Sequence, residues 1–131
     1  MDAFLTKEAY QSLCGLHTIS SPAQVDGLLF GHKRGERYYV EKIIPTQKGF
    51  FSSLESFIQG ERLFEEEPIG FFSFHCGKKK LEKILKPFAY GRLFFEIKKG
   101  PKKRMEIKSF TIDFDKDFFL TSVKLVLPER R

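Results

Sequence analysis

Ile69-Gly70-Phe71-Phe72-Ser73-Phe74-His75-Cys76-Gly77 is the stretch on which the reading of this chain turns. Pro68 stops anything helical before it, and residues 69–74 read as an apolar strand. The far end of that strand carries a polar Ser-Phe-His-Cys cluster. A lysine-rich run follows at once over 78–86, with Leu81, Ile84 and Leu85 at helical spacing and Pro87 at its end. Polar groups at a strand end, beside a helix start, are where α/β domains usually build sites.

Working outward, Thr6 is placed as a helix N-cap, with Leu5 and Tyr10 as a hydrophobic staple around it. Tyr10, Leu13, Cys14 and His17 then fall on one helical stripe, and Ser20-Ser21-Pro22 ends that unit. Residues 25–31 read as a buried strand and 37–45 as its antiparallel partner, joined through Lys33-Arg34-Gly35-Glu36. His32 is placed in that turn, in solvent. Ser52 and Glu55 have capping-box spacing ahead of an apolar helical face that runs to about residue 64. After the 69–74 strand and the 78–86 helix, three more strands are expected over 92–98, 105–112 and 118–127, the first two joined by the turn at Gly100-Pro101. Asp113, Asp115 and Asp117 read as a polar turn, since the glycine and terminal glutamate of a calcium loop are absent. The order αββαβαβββ predicts an α/β fold: a mixed, curved sheet with flanking helices.

Composition narrows the class. The 131 residues suit one domain, 1–131, with a core in which the 16 Phe supply much of the volume. The sequence has no Asn and is rich in Lys and Glu, as proteins of thermophiles tend to be. The first fifteen residues contain Asp2, Lys7 and Glu8 and no apolar run, and no stretch approaches a membrane span. Two cysteines make no disulfide framework, so a cytoplasmic protein with no membrane partner is expected. Between residues 78 and 104 eleven Lys/Arg face two acids, a local +9 against +6 for the whole chain. Such asymmetry marks either an acidic partner, nucleic acid included, or a solvated basic face.

Two segments give the chain a family likeness. Val25-Asp26-Gly27-Leu28-Leu29-Phe30-Gly31 resembles the Gly-Leu-Leu-x-Gly strand of the JAMM/MPN (JAB) domains. Gly70-Phe71-Phe72-Ser73-Phe74-His75-Cys76 resembles their Gly-aromatic-aromatic-His-Ser-His-Pro. The resemblance runs from about Leu5 to Leu127 and implies a three-layer, cytidine-deaminase-like architecture that carries a zinc isopeptidase site. Four of the five catalytic positions are replaced. The family's general-base Glu falls on Gln24, whose amide accepts no proton at neutral pH. The first zinc-binding His falls on Ser73, and the second is kept as His75. The oxyanion-supporting Ser falls on Lys83 and the ligand Asp on Lys86. A catalytic zinc needs about three protein ligands, and an ammonium ~5 Å from Zn²⁺ feels about 6–7 kcal/mol of repulsion at an effective dielectric of ~20.

The resemblance therefore implies a catalytically inactive domain with no cofactor, a protein-binding or scaffold module. Inactive members of the family pair with another MPN domain or hold a complex together, so the expected partner is a protein, another MPN domain or a second copy of this chain. Lys78, Lys79, Lys80, Lys83 and Lys86 would present a basic face where the active site once opened. The alternative is a zinc-dependent isopeptidase or peptidase with a rearranged site, for which His75, Cys76, Cys14 and His17 are the candidate ligands. A Cys76–His75 nucleophile is disfavoured by geometry, because adjacent strand residues point to opposite faces. A third reading is nucleic-acid binding through the basic 78–104 region.

Overall fold

The computed structural model describes residues 1–19, 26–46, 68–74, 77, 81–82, 85, 87–100 and 104–128. In chain order its elements are β1 (Asp2–Leu5), α1 (Lys7–Ile19), β2 (Asp26–Arg34), β3 (Arg37–Thr46), β4 (Gly70–Phe74), a 3-10 turn (Pro87–Ala89), β5 (Leu93–Lys99), β6 (Met105–Asp115), β7 (Asp117–Ser122) and β8 (Lys124–Val126). The strands form one mixed sheet in the order β7-β6-β5-β4-β2-β3-β1-β8. The helix expected over 52–64 lies outside the described residues.

Strand β4 is buried at every position, so its two faces are both covered. Alternation sends Phe72 and Phe74 to one face and Phe71 and Ser73 to the other. Phe72 and Phe74 join Leu29, Leu93, Phe95 and Ile97 in a core cluster with Ala9 and Leu13 of α1. Phe71 joins Leu28, Phe30, Phe94 and Ile112 in a second cluster, against which Leu81, Leu85 and Ala89 pack. The consecutive apolar residues of β2, β4 and β5 are thus explained: central strands covered on both sides show no polar alternation. Strands β4 and β5 run parallel, in register from Gly70↔Leu93 to Phe74↔Ile97. A parallel pair needs a crossover connection, and Leu81, Leu85 and Ala89 of that connection pack on the second face. Leu81 and Glu82 are helical, and Leu85 N–H donates to Leu81 C=O at 3.1 Å, so the inward Leu81 and Leu85 lie as the sequence predicts.

Helix α1 starts as its cap predicts. Thr6 Oγ1 accepts from Ala9 N–H at 3.2 Å and donates to Glu41 C=O at 3.3 Å, which fixes the helix entry to β3. Gly15 lies exposed in this helix, and a Cβ built there meets nothing within 4 Å. Gly15→Ala is expected to raise stability by ~0.5–1 kcal/mol, the propensity difference at an exposed helix site. Urea unfolding read by circular dichroism checks this, and a loss of stability would show that the backbone there needs glycine.

Strands β2 and β3 are antiparallel, with a shift in register between Phe30 and Gly31 that bulges Glu41 out of the ladder. A side chain at Gly31 would place its Cβ 1.8 Å from the Tyr39 carbonyl oxygen, so the bulge closes only on glycine. The turn itself is Gly35-Glu36, and His32 is a strand residue rather than a turn residue. His32 is solvent-exposed, as expected, but it has partners. Its Nδ1 lies 2.5 Å from Glu41 Oε1, and its ring stacks on Tyr39 with centroids 4.9 Å apart. Both partners are about half exposed, so the pair adds about 0–1 kcal/mol.

Two departures concern the sheet's ends. Residues 2–5, ahead of the first expected element, form β1, which pairs in parallel with both β3 and β8. The single strand expected over 118–127 is two strands with different partners. β7 pairs with β6, and after Val123 the chain joins β1 as β8. Val123 N–H donates to Ser109 C=O at 2.9 Å, and Ser109 Oγ–H donates to Val123 C=O at 2.6 Å. One extended segment thus links the two ends of the sheet, which becomes nearly closed.

Candidate functional site

The polar end of β4 belongs to a row of side chains that crosses four adjacent strands. Register sets Asp26 of β2 opposite Ser73 of β4, Ser73 opposite Glu96 of β5, and Glu96 opposite Lys108 of β6. By alternation all four lie on the face that carries Phe71, Phe94 and Ile112, the face covered by the crossover. The row reads carboxylate, hydroxyl, carboxylate, ammonium. Its inner half is deeply buried: Ser73 is 0% exposed and Asp26 2%. Ser73 Oγ–H donates to Asp26 Oδ1 at 2.6 Å, a short charge-assisted bond between side chains 47 residues apart. The outer half opens to solvent. The Glu96 side chain keeps 15% of its surface exposed and takes Lys98 Nζ at 2.9 Å on its Oε1, and Lys108 is exposed.

Ser73 is thus already spent. A hydroxyl that is 0% exposed and donates its proton to a buried carboxylate is not an open metal position, and its oxygen faces no surface from which a substrate could reach it. Among the described residues no buried side-chain nitrogen or oxygen lacks a hydrogen-bond partner.

Of the other candidate ligands, two are described. Cys14 and His17 lie on α1, both half-buried; Cys14 is a free thiol, and the His17 ring stacks on Phe74 with centroids 6.1 Å apart. Among the described residues no three His, Cys, Asp or Glu side chains come together in a way that could hold a metal ion. Gln24, His75, Cys76, Lys78, Lys79, Lys80, Lys83 and Lys86 lie outside the described residues. Asp113 belongs to β6 and Asp117 to β7, with the chain reversing at Lys116, which adopts a φ of 70°. Thr111 Oγ1 donates to Asp113 Oδ2 at 3.1 Å.

Asp26 and Glu96 were not singled out by the sequence reading. A signal for Asp26 existed: an acid at the head of a Gly-Leu-Leu-Phe strand has no solvent face to occupy, so burial with a partner is its only stable setting. For Glu96 no such signal was present, because a single glutamate near the lysine-bearing end of a strand reads as an outward polar residue.

The fold these elements define is a mixed, nearly closed eight-stranded sheet, with helix α1 packed on one face and Leu81, Leu85 and Ala89 on the other. Among solved structures, it is similar to the solution structure of protein DSY2949 from Desulfitobacterium hafniense, a structural-genomics target. That match has a TM-score of 0.63 and 16% sequence identity, and covers 98% of this chain and 94% of the other. At that identity the likeness speaks for the fold alone. No family model and no curated protein matches the chain. Among the described residues no helix is long and apolar enough to cross a membrane.

Proposed function

We propose that this chain is a catalytically silent JAMM/MPN-like domain, kept as a protein-binding or scaffold module. The observation that carries the reading is the state of Ser73. The resemblance assigns this position to a zinc-binding histidine, and here it is a fully buried serine bonded to a buried aspartate. Where the family needs an open donor facing a cleft, this chain has a closed structural pair. The architecture supports the coarser part of this reading, a mixed α/β fold with a helix packed on one face of the sheet. Loss of the metal leaves surface rather than chemistry as the retained property, so the partner is a protein.

Elemental analysis of the purified chain, a zinc titration and a cleavage assay on a ubiquitin-like fusion test this together. Expected are less than stoichiometric zinc, no saturable zinc binding and no cleavage, with His75→Ala and Cys76→Ala indistinguishable from the wild type. Stoichiometric zinc, with cleavage abolished by His75→Ala, would overturn the reading in favour of a rearranged metallopeptidase.

A further inference from the structure

The two ends of the sheet differ in how they meet solvent. An edge strand offers unpaired N–H and C=O groups to any other strand, and monomeric proteins blunt such edges by keeping them short or placing Lys and Pro on them. The β8 end follows that rule. It has three residues, begins at Lys124 and is followed closely by Pro128. The β7 end does not. Asp117-Phe118-Phe119-Leu120-Thr121-Ser122 contains neither Lys nor Pro, and β6 is its single neighbour among the described residues. Phe119 is 44% exposed on this strand, and Phe114 is 53% exposed on the adjacent one. Phe114 and Phe118 form a ring pair with centroids 4.8 Å apart.

We infer that the β7 edge is a self-association site, at which a second copy of this chain adds its own β7 antiparallel across a two-fold axis. The partner follows from the strand's own pattern. A two-fold axis normal to an antiparallel ladder passes through a residue paired with itself. With Phe119 as that residue, Phe118 lies opposite Leu120 of the partner subunit, and Asp117 lies opposite Thr121 of the partner subunit. Every apolar residue of the edge then meets an apolar residue. Phe118 and Leu120 already lean on the second core cluster, so on that face the two cores become continuous. On the opposite face the two exposed Phe119 rings cover each other. In the same register Ser122 of the partner subunit lies opposite Lys116, so polar residues bound the apolar centre of the edge at both ends.

This inference concerns a surface remote from Ser73 and goes beyond the reading above. Zinc content decides that reading, whereas mass decides this one, so either can fail alone. The chain of 15.3 kDa is expected to sediment at twice that mass at micromolar concentration and to dissociate on dilution. Phe119→Lys, at an exposed position where folding is not at stake, is expected to raise the dissociation constant at least tenfold with an unchanged circular dichroism spectrum. Cross-linking reads the register. In Phe119→Cys the paired Cα atoms would stand about 4.5–5.5 Å apart, within disulfide reach. In Thr121→Cys the two positions would be offset by four residues, roughly 13 Å along the strand, and out of reach. Oxidised glutathione should therefore give covalent dimer with Phe119→Cys, above the level of the unmutated chain, and not with Thr121→Cys. A monomeric mass throughout, a dimer that survives Phe119→Lys, or cross-linking at 121 in place of 119 would each overturn the inference.

Discussion

Gly70→Val is expected to abolish cooperative folding or to lower stability by more than about 4 kcal/mol, a large share of the roughly 5–15 kcal/mol that a domain has in total. Gly70 sits between β2 and β5, paired with Leu29 on one side and Leu93 on the other. A Cβ built there would lie 2.2 Å from the Leu93 carbonyl oxygen and 2.8 Å from the Leu93 carbonyl carbon. These are backbone atoms of a central strand, held by ladders to both neighbours, so they cannot rotate away as a side chain would. The strands would have to separate, and the fully buried Phe71, Phe72, Phe94 and Phe95 would lose their packing with them. Gly70→Ala is expected to show the same effect in smaller measure. Urea unfolding with fluorescence and circular dichroism measures both, and a valine variant with wild-type stability would show that the β4–β5 approach is looser than described.

Ser73→His is the second large effect, and it tests the proposed inactive reading directly. The substitution restores the residue type that the JAMM/MPN resemblance puts at this position, beside the retained His75. It is expected to destabilise the chain by about 2–4 kcal/mol and to confer no stoichiometric zinc binding. The seat is 0% exposed and shaped for a serine, so an imidazole overfills it. It also displaces the hydroxyl that donates to Asp26, and a buried carboxylate that loses a donor is costly. Ser73→Ala isolates this second part, with an expected loss of about 1–3 kcal/mol. A double-mutant cycle with Asp26→Ala should return a coupling energy of about 0.5–3 kcal/mol. Calorimetric zinc titration of Ser73→His decides the functional question. A tight, stoichiometric site there would mean that the old coordination geometry persists and that the inactive reading is mistaken.

Much of the local structure was legible from residue patterns. The Thr6 cap, the Tyr10–His17 stripe, the β2–β3 hairpin and the apolar β4 each carry their signal within a dozen neighbouring residues, where sterics and periodicity act directly. The misreadings share a cause. Asp2-Ala3-Phe4-Leu5 is too short to announce itself, and it becomes a strand because β3 and β8 offer it two ladders at once. Residues 118–127 are continuously β-prone, so nothing local marks Val123 as the point where pairing passes from β6 to β1. His32 reads as a turn residue until the bulge at Gly31 lengthens β2 and brings Glu41 within reach.

The candidate site divides in the same way. Composition and motif by themselves determined that the end of β4 is polar and that a mixed sheet surrounds it, and they suggested the JAMM/MPN resemblance under which Gln24, Ser73, Lys83 and Lys86 stand where zinc-site groups would be. These are properties of residue identity and order. Only the tertiary structure decided what Ser73 does instead. Its partner lies 47 residues away, and the contact depends on the register of β2 against β4, which the chain sets when Gly27, Leu28 and Leu29 pair with Phe72, Phe71 and Gly70. A shift of one residue would turn Asp26 to the opposite face and leave the serine without its acceptor. Register is a property of the whole sheet, fixed by burial summed over many strands.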